Sequence, residues 1–331
     1  MTETQIEVRQ LSKTYRVPVR PEGLRASLKS LARRKYDDIP AVQEVSFSIR
    51  EGEIVGLIGP NGAGKTTTLK MLCGLLYPTS GQAQVAGFTP WERKQQYLRQ
   101  ISMVFGNKSQ MIWDIPAMDS FRVLAEIYSV PEAKYKQTLD ELVELLEMNE
   151  LLAKPVRNLS LGERMKCELV AGLIHRPVVM YLDEPTLGLD VSMQLRLRRF
   201  FLDYHRQSGV TILLTSHYMA DVMALCPRVI LIHHGKLLYD GDLGSLAQKM
   251  APFKLVNITL GNGASTLISP ADLPSGVDIL GQTDNQLSLR VGRAEAPSAT
   301  TALLNSLPVV DLTVQDPPIE AVIDQVYQEG I

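Results

Sequence analysis

Residue type and spacing dictate chemistry most directly in GPNGAGKTT, Gly59 to Thr67. The stretch fits G-x-x-x-x-G-K-[ST]. In that pattern, glycines let consecutive backbone N–H groups turn toward a phosphate, and a helix N-terminus adds its positive dipole end. On this reading Gly59, Pro60, Asn61, Gly62, Ala63, Gly64 and Thr67 form the cradle. Lys65 reaches the β- and γ-phosphates of a nucleoside triphosphate, and the Thr66 hydroxyl ligates Mg²⁺. A second feature, the acidic VVMYLDEP, lies far downstream. Its apolar run predicts a buried strand with carboxylates at the C-terminal end, where ligands collect in open parallel sheets. Asp183 is placed to hold the Mg²⁺ through water, and Glu184 to polarise an attacking water.

The elements that must position these groups follow from hydropathy periodicity. EIVGLIG predicts a short buried strand feeding the loop, and a helix follows from Gly64 to about Leu75. QAQVAG and ISMVF read as strands, Ala117 to about Glu150 as helical, and a further helix runs from Gly162 to His175. Strands and helices then alternate through VVMYLD, helix 191–208, VTILLTS, helix 218–225 and RVILIHH, which argues for a parallel sheet with helical crossovers. Between about 245 and 255 Asn, Gly, Ser, Thr and Pro increase. KLVNITL, QLSLRV and VVDLTV with helices at 295–307 and IEAVIDQVYQ predict a separate small α+β domain over 250–331.

Just upstream of the acidic pair stands LSLGE, Leu159 to Glu163. With the loop at 59–67 and DEP at 183–185, it makes residues 1–245 resemble the ATP-binding cassette (ABC) ATPases. The resemblance implies a P-loop fold: a RecA-like core, an antiparallel β subdomain and a helical subdomain at about 107–170. It also assigns roles. Tyr15 stacks on adenine, and Ser160 and Gly162 bind the γ-phosphate held by a second copy. Leu189 and Asp190 form the dimer-contact loop, and His217 is the switch histidine. A Ser hydroxyl and Gly N–H at a helix start make a second anion site. Two half-sites on one chain then require a head-to-tail dimer with two ATPs at the seam.

Two departures stand out. Leu161 and Glu163 replace the Gly and Gln of the usual LSGGQ, with Arg164 and Lys166 nearby to offset the added charge. The glutamine usual after ISMVF is missing from VFGNKSQMIWD, leaving Asn107 and Gln110 as rivals for the Mg²⁺ and water contact. FGNKSQMIWDIP, LSLGERMKCEL and LLTSHYMADVMALC resemble the exporter subgroup that works with separate six-helix permeases, one kind of chain or two. Met111, Ile112 and Trp113 would supply the apolar surface for such a contact, with Trp113 as ordinary core the alternative.

Residues 17–40 interrupt the cassette with basic residues. GLRASLKSLARRKY, 23–36, spaces Leu24, Leu28 and Leu31 as an amphipathic helix, facing either an anionic leaflet and the permease or solvent alone. The tail leaves dimerisation, steadying of the cassette and regulation open. A net charge of −2 argues against bulk electrostatic binding to nucleic acid. The stretch between Thr67 and Leu159 is too short for the coiled coils of DNA-acting relatives, the rival class along with ribosome-acting ATPases. No apolar run reaches membrane-spanning length, and MTETQIEVRQ lacks a signal-peptide core. The expected place is the cytoplasmic face of the plasma (inner) membrane, reached through the permease. Cys73, Cys167 and Cys226 have no metal spacing and read as small buried hydrophobes.

Overall fold

The computed structural model describes residues 3–18, 36–261, 269, 273–283 and 285–329, in two compact units, 1–241 and 242–331.

The first unit opens with β1 (Thr4–Pro18) and β2 (Tyr36–Arg50), antiparallel to one another. β3 (Ile54–Ile58) runs into the glycine-rich loop and α1 (Lys65–Leu72). β4 (Ser80–Val85), α2 (Gln95–Leu98) and β5 (Ile101–Phe105) follow. Three helices come next: α3 (Ala117–Ile127), α4 (Glu132–Leu145) and α5 (Leu161–Leu173). Ser129 at φ 54°, followed by Val130 and Pro131, breaks the helical stretch read as continuous from Ala117. The remainder alternates: β6 (Val179–Asp183), α6 (Val191–Ser208), β7 (Thr211–Thr215), α7 (Met219–Leu225), β8 (Arg228–His233) and β9 (Lys236–Asp242).

Two sheets result. β2, β1 and β4 form an antiparallel sheet; β5, β6, β7, β3, β8 and β9 line up in that order in the other. In the second sheet β3 pairs in parallel with β7 and β8, and β6 with β5 and β7. All five residues of β3 and of β7 are buried, so their near-continuous apolar sequence is that of parallel strands covered on both faces. Ile6, Val8 and Phe47 of the antiparallel sheet share a core with Leu57, Tyr181 and Ile230 of the parallel one. The three cysteines are buried within this unit.

Part of the stretch read as an interruption is regular structure. β1 continues to Pro18 and β2 begins at Tyr36, with Tyr15 opposite Ile39 and Pro18 opposite Tyr36. The antiparallel ladder carries on past the core, and along it Arg16 lies 3.9 Å from Asp38 and over the Tyr36 ring at 5.0 Å. Of the amphipathic helix expected at 23–36, residues 23–35 lie outside the described residues and Tyr36 is in β2.

The second unit begins with α8 (Leu243–Met250). β10 (Phe253–Leu260), β11 (Val277–Gln282), β12 (Gln286–Gly292) and β13 (Val309–Gln315) form an antiparallel sheet in the order β11, β12, β10, β13. α9 (Ala296–Ser306) covers one face over Val256, Ile258, Leu287 and Leu289, and α10 (Ile319–Glu329) packs on α8. β11 was absent from the sequence reading. A register shift between Ile279 and Gly281 breaks the alternation that would have marked it.

Candidate functional site

The loop between β3 and α1 is shaped by contacts only glycine allows. A Cβ on Gly59 would lie 2.2 Å from the Ile232 carbonyl oxygen. Gly64 stands at φ +106°, where a Cβ would lie 2.4 Å from the Ala41 oxygen. Gly64 is also the N-cap of α1 and offers no side-chain hydrogen bond, so the first N–H groups of the helix are left for an anion. Lys65 is 5% exposed, and its Nζ donates to the Gly59 oxygen at 2.5 Å and the Pro60 oxygen at 3.1 Å. Burial pulls its pKa down, and the charges of Glu184 and Asp183 act against that.

Those acids arrive from β6. The Asp183 Oδ1 accepts from Thr66 Oγ1 at 3.1 Å and from Thr215 Oγ1 at 2.7 Å. Thr66 and Asp183 therefore meet as two hard oxygen donors, the kind a small divalent cation takes when phosphates supply the rest. Among the described residues no cluster of three or more His, Cys, Asp or Glu could hold a metal alone. Glu184 adopts φ 55°, and its Oε1 lies 2.7 Å from His217 Nε2. Its backbone N–H is held by the carbonyl and hydroxyl oxygens of Thr215, at 3.0 and 3.2 Å.

Thr215 escaped the sequence reading. It looks like the last residue of an apolar strand, and its link to both acids exists only because β7 lies beside β6. Gly106 is the matching constraint from the other side. Its N–H donates to the Asp183 carbonyl at 2.9 Å, and a Cβ there would sit 2.0 Å from the Glu184 oxygen. Gly106→Ala is expected to lower the unfolding free energy by about 1–3 kcal/mol through this overpacking, read from a denaturant titration. An unchanged midpoint would mean that the backbone around Glu184 yields freely.

The two candidates for the missing glutamine part company. Asn107 lines a small cleft with Thr66, Asp183, Glu184 and Leu187. Gln110 turns to α5, donating from its backbone to Glu168 Oε2 at 3.1 Å and from Nε2 to the Glu168 carbonyl at 3.2 Å. Ser109 donates to the same carboxylate, whose pKa burial raises.

Ser160 is the N-cap of α5 in a capping box. Its Oγ accepts from the Glu163 N–H at 3.3 Å, and Glu163 Oε2 accepts from the Ser160 N–H at 2.8 Å. Lys154 is the cation beside Glu163, at 3.2 Å. Lys166, expected to offset that charge, is buried and donates to the Leu146 carbonyl, because α5 packs over the end of α4. Gly162 abuts Met193, where a Cβ would come within 2.9 Å of its Cε, and Asp190 caps α6 by accepting from the Met193 N–H at 2.9 Å. Leu189 is buried beside it. Tyr15 lies in β1 beyond its pairing with β4, opposite Ile39 of β2, 36% exposed and with Lys13 over its ring. Met111 is buried, unlike its exposed neighbours Ile112 and Trp113, so it contributes core rather than surface; Arg164 lies over the Trp113 ring.

The chain matches the family model described as ABC transporter over residues 42–187, and that of the EvrA-like ABC transporter C-terminal domain over 252–315. It is 35% identical to the ABC transporter ATP-binding protein NatA of Bacillus subtilis (strain 168), across 64% of this chain and 88% of that one. It is 27% identical to the linearmycin resistance ATP-binding protein LnrL of the same organism, across 87% and 94%. The solved structure of the ATP-binding subunit of an ABC transporter superposes with a TM-score of 0.61 at 25% identity, covering 74% of this chain and 92% of that one. With the glycine-rich loop, the acidic pair and the capping box at Ser160 on one cassette, the chain belongs to the ABC ATPases: it is the ATP-binding and ATP-hydrolysing subunit of an ABC transporter.

Proposed function

We propose that two copies of this chain close head to tail around two ATP molecules and so drive separate membrane permeases, in the direction of export. The observation that carries the hydrolytic half is the convergence of Thr66, Asp183, Glu184 and His217 at the ends of β3, β6 and β7, with Glu184 and His217 in contact at 2.7 Å. Gly59 to Thr67 bind the phosphates, Lys65 meets the β- and γ-oxygens, and Tyr15 stacks on the adenine. Thr66 would hold Mg²⁺ directly and Asp183 through water, and Asn107, which lines the same cleft, is the better candidate of the two glutamine substitutes. When bound, Mg²⁺ neutralises charge developing on the phosphate oxygens. Glu184 orients and deprotonates the attacking water, and His217 holds the Glu184 carboxylate in place. Ser160 and Gly162 of the facing copy complete the site, and Asp190 sets the contact loop between copies.

A cavity of about 500 Å³ adjoins the loop at 107–113; Leu98, Met103, Phe105 and Ile127 give it apolar walls, and Arg99 and Lys108 line it as well. With exposed Ile112 and Trp113 nearby, it suits an amphipathic helix from a permease. Among the described residues no helix is long and apolar enough to cross a membrane. A permease contact of this kind would hold the subunit at the cytoplasmic face. The resistance named for LnrL, which this chain matches nearly end to end, favours export of a toxic compound. The C-terminal unit, matched by the EvrA-like domain, serves the cassette as an accessory rather than as a second catalytic site.

The head-to-tail reading is tested by cross-linking. In a Glu184→Gln background, cysteines introduced at Asn61 and Ser160 are expected to cross-link between copies with ATP and not without it. The native thiols are buried and should stay silent. Absence of the ATP-dependent product would remove the shared-site reading.

A further inference from the structure

Asp221 lies in the first turn of α7 and is 1% exposed, and its side-chain hydrogen bonds go to neither the cradle nor the acidic pair. Both of its carboxylate oxygens are engaged. Oδ1 accepts from Arg198 Nε at 2.5 Å, an ion pair with side chains 15% and 1% exposed. Oδ2 accepts from Ser216 Oγ at 3.1 Å and from Thr186 Oγ1 in a still shorter contact. Ser216 and Thr186 are 2% and 1% exposed, so neither hydroxyl can turn to water without opening the core.

The places of these partners in the chain give the carboxylate its meaning. Thr186 follows Glu184 by two residues on the turn that leaves β6. Ser216 immediately precedes His217 on the turn that leaves β7, and it also accepts the Tyr218 N–H at 3.0 Å, which fixes the course of that turn. Arg198 comes from α6, the helix capped by Asp190. One buried charge thus ties together the turn carrying Glu184, the turn carrying His217 and the helix that begins at Asp190. Hydrogen bonds to a buried carboxylate are charge-assisted and stronger than neutral ones, so this junction resists displacement of either turn.

We propose that Asp221 is a positioning residue for ATP hydrolysis, holding Thr186 and Ser216 at once and thereby setting the Glu184–His217 contact. The proposal rests on the roles given above to Glu184 and His217. An amide at 221 keeps the shape but cannot serve all three donors, because its NH₂ must face either Arg198 or the two hydroxyls. A shift of a fraction of an ångström in either turn then lengthens the carboxylate–imidazole contact without disturbing the cradle.

The test uses the full-length chain, with ATPase rates read as kcat and KM. Asp221→Asn is expected to lower kcat at least ~10-fold while KM for ATP moves less than ~2-fold, the pattern of lost orientation rather than lost binding. Ser216→Ala and Thr186→Val each remove one arm and leave the Arg198 ion pair intact. They are expected to lower kcat by a smaller factor in the same way, and they carry the test should Asp221→Asn unfold. A residue acting only through global stability would not couple selectively to His217. In a His217→Ala background, Asp221→Asn (or the Ser216 variant) should therefore cost little further, because the contact it sets is already gone. A full multiplicative loss in that background overturns the proposal, as does a folded Asp221→Asn with unchanged kcat. If His217→Ala alone leaves kcat intact, it is the reading of His217 that falls.

Discussion

Replacing Glu184 by glutamine will cut ATP turnover by roughly 10²–10⁴-fold, the range expected when a positioned general base is lost, while ATP still binds. The substitution keeps the shape of the side chain, so the turn at φ 55° and its anchoring to Thr215 should survive. What is lost is the carboxylate beside His217 Nε2, and with it the group able to take a proton from water. The closed state then forms and is not relieved. On gel filtration the variant should run as a dimer with ATP and as a monomer after ATP is removed. Retained turnover would place the base elsewhere, and a variant that never dimerises with ATP would separate closure from this site altogether.

Lys65→Ala should give the opposite signature. Hydrogen bonds to charged groups contribute about 1.5–3 kcal/mol each, so losing the ammonium is expected to weaken ATP binding roughly 10- to 100-fold. The side chain is buried, held by the Gly59 and Pro60 carbonyls, with the Asp183 and Glu184 charges nearby. Its loss removes the local cation that balances those acids before any phosphate reaches it. Titration with a fluorescent ATP analogue reads the affinity directly. Near-wild-type binding would show that the backbone N–H groups of the loop suffice alone. Together the two variants split the site into a part that holds phosphate and a part that acts on water.

The parts of this architecture that repeat a local rule were legible in the sequence. Continuous apolar runs marked the parallel strands, and the Gly-Lys-Thr loop marked the start of α1. What stayed hidden depends on neighbours distant along the chain. Thr215 reads as one more strand residue until β7 is set beside β6, and Asp221 reads as an ordinary acid in a first helical turn until Arg198, Ser216 and Thr186 converge on it. Position puts Asn107 nearest the place of the missing glutamine but leaves Gln110 a rival. The separation came from Glu168, a buried acid on α5 that draws Gln110 away. Met111 failed as a surface residue for a related reason: one apolar run, Met111 to Trp113, turns inward at its first member and outward at the next two. The extended β1–β2 ladder was obscured because Val17, Tyr36 and Ile39 are exposed and give no hydrophobic alternation to read.

The capping box at Ser160 also bears on how this chain can change over time. Glu163 spends one oxygen on its own helix start and the other on Lys154, so the negative charge that distinguishes LSLGE from LSGGQ is answered within the same subunit. A glutamine at 163 could still accept the Ser160 N–H, and Lys154 would then keep its charge in solvent. The two side chains are 44% and 30% exposed, so their ion pair contributes about 0–1 kcal/mol. Either position can therefore change alone at little cost to the fold, and what the helix start retains in every case is the hydrogen-bonding shape of the side chain rather than its charge.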